Sequence, residues 1–385
     1  MGWKRAISLT TELSPKPSLM WWFLAGALMV IIGALLFMLY ASGMVKGLSA
    51  LNIWQVSLTP SGIWLLLLCL RGWLWGKEID KHHFQKKEAE LAQKQWEAWA
   101  ERYLAIITSC ILLPDKITAG CLHNKLEQYY GLTRRINYLS DSDHLADKSL
   151  HILLKSTMDV FRQLPDDFPV TVTLISDLPT AGLNESFSSV WSSLFPQRAV
   201  PENITITPAL SMERAEKRLK QPSLTVDLIL VMQLFGGDAY SDGLASLLLT
   251  SDDVTQKYRL PHKARLLRPM PLELDRFEDD FTQFLVTQTV ASRAARVLGD
   301  SCRWEEVAAP LMTIGNVHGA QWDPAERMLL EKWCGIPGPA APWLLTALAA
   351  DLVTLGNNSL LTLFSSGEER YISTVTTGSE DEYNG

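Results

Sequence analysis

An uncharged apolar run near the N-terminus constrains this chain more than any other feature. Leu19 to Ala41 contains 23 residues without a charged side chain, and the uncharged stretch continues to Val45. About 20 apolar helical residues are enough to span the hydrocarbon core of a bilayer. A cleaved secretory signal has a shorter apolar region, of about 7–15 residues, followed by a small-residue cleavage site. The run therefore predicts a retained transmembrane helix.

A second uncharged stretch extends from Gly47 to Leu70, and its second half is rich in leucine. We predict a second span from Ser57 to Trp75. Pro60 would lie in the first turn of this helix, where its missing N–H is harmless, and Arg71 would extend its charge to the lipid headgroups. The alternative is a single span followed by an interfacial segment.

Tryptophan and basic residues indicate how these spans are oriented. Tryptophans stand at the outer ends of both spans, where amphipathic rings favour the headgroup level: Trp21, Trp22, Trp73 and Trp75. Basic residues flank the pair on both outer sides, whereas the connecting loop has only Lys46. The positive-inside rule then predicts a two-span protein of the bacterial inner membrane with both termini and the body in the cytoplasm. A single span would place the body on the opposite side.

The net charge of −7 conceals a polarised chain, because residues 1–76 carry +4 and the remainder carries −11. Such an acidic body argues against nucleic-acid binding, which needs a basic surface. The five cysteines are odd in number and form no CxxC pair, so a reducing compartment is expected. The predicted partners are the lipid bilayer and a protein with a basic surface.

Alternating strand and helix patterns after residue 103 predict an α/β body with a mixed sheet and packed helices. Its acidic C-terminal residues are expected to be disordered. The predicted organisation has six segments: a cytoplasmic tail (1–18), a transmembrane hairpin (19–76), a charged connector helix (77–103), a first α/β region (104–258), a second α/β region (259–376) and an acidic tail (377–385).

Three stretches of the body are assigned from composition. The basic stretch from Arg259 to Arg268 lies between prolines and is predicted to be an exposed link. Asp275 to Leu298 has an apolar stripe and an acidic start, which predict one long amphipathic helix. Pro324 to Trp333 is predicted to be a helix opened by its proline and capped by Asp323.

Catalytic signatures are weak in this sequence. It contains no GxSxG, Walker, HExxH or GxGxxG motif. Neighbouring acids such as Asp252 and Asp253 diverge on a helix or strand and make poor acid–base pairs. His318 could serve as the base for the thiol of Cys302 or Cys334, but neither cysteine has a flanking signature. We therefore predict no catalytic, cofactor-binding or metal-binding residues, and no cofactor.

Two resemblances add to this interpretation. The strand–helix–strand pattern ending in Ala349–Leu363 resembles one half of a thiolase-type fold, without counterparts of the catalytic cysteine and paired histidine of that family. The layout of two spans before an α/β body resembles type VI secretion lipase adapters, with the likeness carried by the stretch from Trp322 to Leu361. This second resemblance implies a non-catalytic protein that binds a secreted effector, and it transfers no functional residues.

The sequence thus favours a membrane-anchored, non-enzymatic adapter or scaffold. One alternative is a membrane-bound enzyme of a degenerate acyl-transfer type. Another is an immunity or regulatory protein paired with a toxin, which should protect cells when expressed alone.

Overall fold

A computed structural model describes residues 2–4, 15–42, 52–123, 131–140 and 144–378. The chain divides into two compact units, one formed by residues 6–95 and the other by residues 1–5 together with 96–385. The hairpin loop around Lys46 and the acidic residues 379–385 lie outside the described residues.

Two long helices make up most of the first unit. Helix α1 is Leu19–Ala41 and helix α2 is Ile53–Ala100, and both are long and apolar enough to cross a membrane. They pack against each other at Gly26, which lies under the ring of Trp64. The indole Nε1 of Trp64 donates a hydrogen bond to the carbonyl of Trp22 at 3.0 Å. Small residues permit this close approach between apolar helices.

Helix α2 corrects two expectations. The predicted second span and the connector helix 77–103 form one continuous helix of 48 residues, which ends at Ala100. Pro60 lies two turns inside this helix instead of in its first turn, because the helix already begins at Ile53. The hydroxyl of Ser57 donates to the carbonyl of Ile53 at 2.9 Å. Such back-bonding satisfies polar side chains inside the helix, so their polarity does not end it.

The second unit is built on one mixed sheet of eleven strands, which run in the spatial order β3-β2-β4-β5-β1-β6-β11-β10-β8-β9, with β7 beside β11. The strands are β1 Tyr103–Leu112, β2 Val170–Ser176, β3 Ile204–Thr207, β4 Val226–Gln233, β5 Gly243–Ser251, β6 Ala264–Leu267, β7 Met270–Leu272, β8 Arg296–Gly299, β9 Met328–Leu329, β10 Leu360–Ser366 and β11 Glu369–Thr377.

The sheet consists of two halves with the same topology. Counted in chain order, the strands of the first half (β1–β5) lie side by side as third, second, fourth, fifth and first. The second half repeats this order from the opposite edge of the sheet, with the five strands β6, β8, β9, β10 and β11. In each half the three strands nearest the edge are parallel to one another, and the next two strands pair antiparallel with their neighbours. The antiparallel pair β1–β6 joins the halves. This internal repeat was not predicted from the sequence.

Helices cover both faces of the sheet and fill its centre. Helices α4 and α6 pack on the outer face of the first half, α9 and α10 pack on that of the second half, and α7 and α12 share a central core with strands of both halves. The remaining helices after α2 are α3 Asn137–Ser140, α4 Leu145–Lys155, α5 Met158–Gln163, α6 Leu183–Leu194, α7 Glu213–Lys220, α8 Asp252–Tyr258, α9 Phe277–Thr287, α10 Ala308–Val317, α11 Leu330–Cys334 and α12 Ala341–Gly356.

Helix α12 forms the centre of this body. Of its 16 residues 12 are buried, which requires a helix that is apolar on nearly every side. Its alanines keep the helix narrow, and Trp343 is fully buried with its indole Nε1 donating to the carbonyl of Leu210 at 2.8 Å.

The predicted exposed link at Arg259–Arg268 is wrong, because this stretch contains the buried central strand β6. Arg268 is 1% exposed. Its Nε donates to the carbonyl of Trp99 at 3.0 Å, its guanidinium lies 4.1 Å from the Trp99 ring centre, and Nη1 is 3.6 Å from Glu216. Partners that lie far from Arg268 in the sequence therefore make burial of its charge possible.

The predicted helix from Asp275 to Leu298 is also wrong. Helix α9 ends at Thr287, because the buried side chain of Gln288 turns inward and donates to the carbonyls of Ala100 and Arg268 at 2.8 and 3.2 Å. A 3₁₀ turn and strand β8 follow.

The predicted helix from Pro324 to Trp333 divides into a 3₁₀ turn, strand β9 and the short helix α11. Its expected cap is present, since the backbone N–H of Ala325 donates to the Asp323 carboxylate at 2.8 Å.

The first residues of the chain belong to the body. Trp3 is buried, with its ring centre 5.1 Å from that of Trp99 and 5.8 Å from that of Phe284. The side-chain amide of Gln283 donates to the carbonyl of Trp3. Residue 3 is therefore attached to the same unit that holds the C-terminal end of α2.

Candidate functional site

The loops after β2 and β4 contain the most extensive polar framework of the body. Ligand sites of α/β sheets lie at the carboxyl ends of parallel strands. Asp177 is the first residue after β2, and its carboxylate accepts the backbone N–H groups of Leu234 and Phe235 at 2.9 and 2.8 Å. The hydroxyl of Tyr240 donates to the same carboxylate at 3.2 Å. Burial and the Asp177 charge raise the pKa of Tyr240, so its hydroxyl remains a donor.

A second carboxylate connects this loop to the segment before α3. Asp242 accepts the backbone N–H of Ile136 at 2.9 Å and the guanidinium of Arg135 at 2.7 Å. Arg135 also donates to the carbonyl of Gly237. Burial raises the pKa of Asp242 despite these bonds. The charge of Arg135 is therefore engaged in holding the loop.

Gln233 connects the loop to the segment before α12. Its amide nitrogen donates to the carbonyl of Ser241 at 2.7 Å, and its amide oxygen accepts the N–H of Ala340 at 3.1 Å. A Cβ on Gly338 would collide with that amide oxygen, so a larger residue there would have to displace the Gln233 amide from its hydrogen bonds. Hydrogen bonds of Asp177, Asp242 and Gln233 therefore hold the loop after β4 in place.

This rigid framework presents an apolar side chain to solvent. Phe235 is 59% exposed although its backbone is bonded to Asp177, and Leu132 is 54% exposed on the adjoining segment. Exposed aromatics beside arginine are typical of protein-binding hot spots. We call Leu132, Arg134, Arg135, Phe235 and Tyr240 the Phe235 surface.

The second half repeats the strand-end carboxylate. Asp300 directly follows β8, as Asp177 follows β2, and each accepts the N–H of a residue near the end of the neighbouring parallel strand. Asp300 also accepts the indole N–H of Trp304 at 3.0 Å. Burial raises its pKa to about 6. Its position in the interior makes it a structural group, whereas Asp177 holds an exposed loop.

Asp300 predicts a pH dependence of stability. Its folded-state pKa of about 6 lies above the unfolded value of about 3.9. Folding therefore favours the protonated form, and this contribution is present below about pH 4 and lost as the pH rises through 6. Relative to Asp300→Asn, the wild type should lose about 2 kcal/mol between pH 4 and pH 7. Chemical denaturation of both proteins at each pH measures this, and parallel profiles would contradict it.

The structure does not support a thiol–base pair at His318. The backbone N–H of Cys302 donates to the Glu331 carboxylate at 2.7 Å, and burial followed by that negative charge raises the pKa of the Cys302 thiol to about 12. Cys334 lies in the central core, where burial raises the pKa of its thiol. His318 follows α10 and donates its backbone N–H to Ile314 at 3.1 Å. Both thiols therefore lack the activation that a nucleophile requires.

The acidic doublet that the sequence contains makes structural ion pairs. Arg102 pairs with Asp252 at 2.8 Å and with Asp253 at 2.7 Å, which accounts for this acidic doublet. Among the described residues there is no group of three or more His, Cys, Asp or Glu that could hold a metal ion. Asp177 and Phe235 were not predicted from the sequence. An aspartate directly after a buried strand, found at both Asp177 and Asp300, was the available signal.

Comparisons with known proteins establish the fold class. No protein-family model and no curated protein matches the sequence. A solved complex of a type II polyketide acyl-carrier protein with its ketosynthase, AntDE:AntF, contains a chain with TM-score 0.50 and 11% identity, covering 72% of this chain and 99% of that one. Similar structures include OleA of Xanthomonas campestris bound with cerulenin (TM-score 0.47, 12% identity, covering 73% and 98%) and a Streptomyces albus oxazolomycin ketosynthase domain (0.45, 12%, covering 72% and 95%).

The body therefore has a thiolase-like fold. The predicted likeness to half of such a fold is confirmed and extends over both halves. At 11% identity the likeness concerns the fold and not the activity. The resemblance to type VI secretion adapters finds no support in these comparisons and stays a prediction.

Proposed function

We propose that this protein is a membrane-anchored scaffold whose thiolase-like body binds a partner protein and performs no acyl transfer itself. The Phe235 surface carries the proposal. An exposed phenylalanine normally costs free energy in water, and here the loop that exposes it is held by Asp177, Asp242 and Gln233. A preorganised aromatic loses little conformational entropy on binding.

The pKa values of three cysteine thiols also favour a binding role. An acyl-transfer nucleophile needs a depressed pKa or an adjacent base. The pKa values of Cys110, Cys302 and Cys334 are raised, in each case chiefly by burial. Cys121 differs, because hydrogen bonding with Thr118 lowers the pKa of its thiol. The three raised values favour a binding role over the acyl-transfer alternative.

The position of Trp3 supports two membrane crossings. Trp3 and Trp99 pack together within one unit, so both lie on the same side of any membrane. The chain between them must then cross the bilayer an even number of times. Two apolar helices and the distribution of basic residues favour a cytoplasmic body.

The net charge of the body indicates which kind of partner surface it can bind. Residues 77–385 carry most of the acidic excess, while Arg134 and Arg135 of the Phe235 surface are paired with Asp115 and Asp242. A partner with an apolar pocket surrounded by basic residues fits this arrangement. The adapter resemblance suggests a secreted effector as one such partner.

Site-specific cross-linking tests the proposal. The full chain carrying p-benzoylphenylalanine at position 235 should give one dominant protein adduct in its native membranes. The matched control is position 224, since Leu224 is 48% exposed and precedes β4 at the opposite end of the strand. Phe235→Ala should reduce copurification of the identified partner at least tenfold, and Leu224→Ala should leave it unchanged.

Equal adducts at both positions, or none at position 235, would contradict the scaffold proposal. Protection of cells by this protein expressed alone would favour the immunity alternative, and the identity of the adduct tests the secretion adapter.

A further inference from the structure

A cavity of about 330 Å³ lies between helix α5, strand β1 and the segment before β6, away from the Phe235 surface. Four aliphatic side chains line it, and the remaining lining comes from Gln163, Pro261, His262 and Lys263; the aliphatic residues are Ile107, Val160, Leu164 and Leu260. All four side chains border the outer core of the first half. The volume is within the range of small-molecule sites.

A lysine is the cationic side chain among the described residues that line the cavity. Lys263 lines it and is exposed, and of the described residues that line it none is acidic. The backbone around Lys263 is held in place, because its N–H donates to Ile106 at 2.8 Å and its carbonyl accepts from Gly378 at 3.0 Å. These hydrogen bonds therefore hold in place the main chain that carries the Lys263 side chain.

The neighbouring histidine is already engaged. His262 Nε2 accepts from Nε of Arg265 at 3.0 Å, and Nδ1 lies 3.2 Å from the carbonyl of Leu260. The imidazole ring is thus held by contacts with its neighbours, and it also stacks on Tyr103 with ring centres 5.8 Å apart. The positive charge at the opening comes from Lys263.

Asp351 interacts electrostatically with Lys263, and its carboxylate accepts a hydrogen bond from the hydroxyl of Ser109 at 2.5 Å. Asp351 lies on α12 and does not line the cavity. Asp351 therefore attracts the ammonium of Lys263 without lining the cavity.

We propose that this cavity binds the chain of an unbranched aliphatic carboxylic acid, whose carboxylate pairs with Lys263. The aliphatic walls favour an alkyl chain over an aromatic ring, which gains from aromatic neighbours. The volume lies at the lower end of the range for small-molecule sites, which suits an alkyl chain of medium length.

Photolabelling of the full chain in phosphatidylcholine nanodiscs tests this. The probe is decanoic acid carrying an aliphatic diazirine, and labelled peptides are identified by mass spectrometry. Probe dissolved in the bilayer labels α1, which provides an internal reference. Residues 158–164 and 260–263 should be labelled above that reference, and unlabelled decanoate should compete.

Three variants sharpen the test. Lys263→Met should lower the labelling ratio up to about fivefold, the range of an exposed ion pair. Val160→Trp, which fills the cavity, should lower it more than tenfold, and the exposed control Lys148→Met should not change it. Partner cross-linking at position 235 should be normal in Lys263→Met, so this proposal can fail independently of the scaffold function.

Labelling confined to α1 and α2 would overturn the proposal. An equal ratio in wild type and Lys263→Met would do so as well, because it would remove the ion pair. A neutral decanol probe that labels as strongly as the acid, or displacement by lysophosphatidylcholine as efficient as by decanoate, would also contradict a carboxylate site.

Discussion

Replacing Trp343 by alanine should lower the free energy of unfolding by about 3–5 kcal/mol, the range for a large buried aromatic. The ring is fully buried on α12, in the core shared by both halves of the sheet. Its removal leaves a cavity and also leaves the carbonyl of Leu210 without its 2.8 Å donor. Few neighbours can move to fill the space, because strands of both halves enclose this helix.

Denaturant titration of the detergent-solubilised protein, followed by circular dichroism, measures this loss. The matched control is Leu355→Ala on the same helix, where the side chain is 66% exposed and the change should stay within about 0.5 kcal/mol. A similarly small loss for Trp343→Ala would show that α12 is not the centre of the core.

Membrane topology should give an all-or-none result in intact spheroplasts. A membrane-impermeant maleimide should leave the wild-type protein unlabelled, since the partly exposed thiol of Cys121 belongs to a body predicted to be cytoplasmic. Ser42→Cys, at the loop end of α1, should become labelled, whereas Ser18→Cys, at the exposed residue just before α1, should not. The reason is that Trp3 and Trp99 are held in one unit, which requires an even number of crossings.

Permeabilised cells provide the control, because all three proteins should then react. Labelling of wild-type protein or Ser18→Cys in intact spheroplasts would place the body outside. Protection of Ser42→Cys in spheroplasts, with labelling after permeabilisation, would indicate that the hairpin does not cross the bilayer.

Local patterns predicted the elements whose environment can be read from their own residues. The alternating strand and helix patterns after residue 103 predicted the mixed sheet that the structure contains, because alternation or uninterrupted apolarity indicates how much of each element is buried. The Asp323 cap was predictable for the same reason, since donor and acceptor are two residues apart.

Predictions failed where a distant residue decides the local structure. Arg268 is charged and was expected at the surface, yet Trp99 and Glu216 provide its partners in the interior. Gln288 fits a helix by propensity, yet its bonds to Ala100 and Arg268 direct the chain into β8 instead. The Phe235 surface depends on Asp177 in the same way, since a strand-end aspartate acquires its role only beside β4.

The sequence by itself determined the two apolar helices, the polarised charge and the α/β class of the body, because length, composition and periodicity act within a segment. The tertiary structure alone decided the repeated halves, the burial of Arg268, the attachment of Trp3 to the body and the exposure of Phe235. Each of these depends on hydrogen bonds and packing between residues far apart in the chain, which no local pattern encodes.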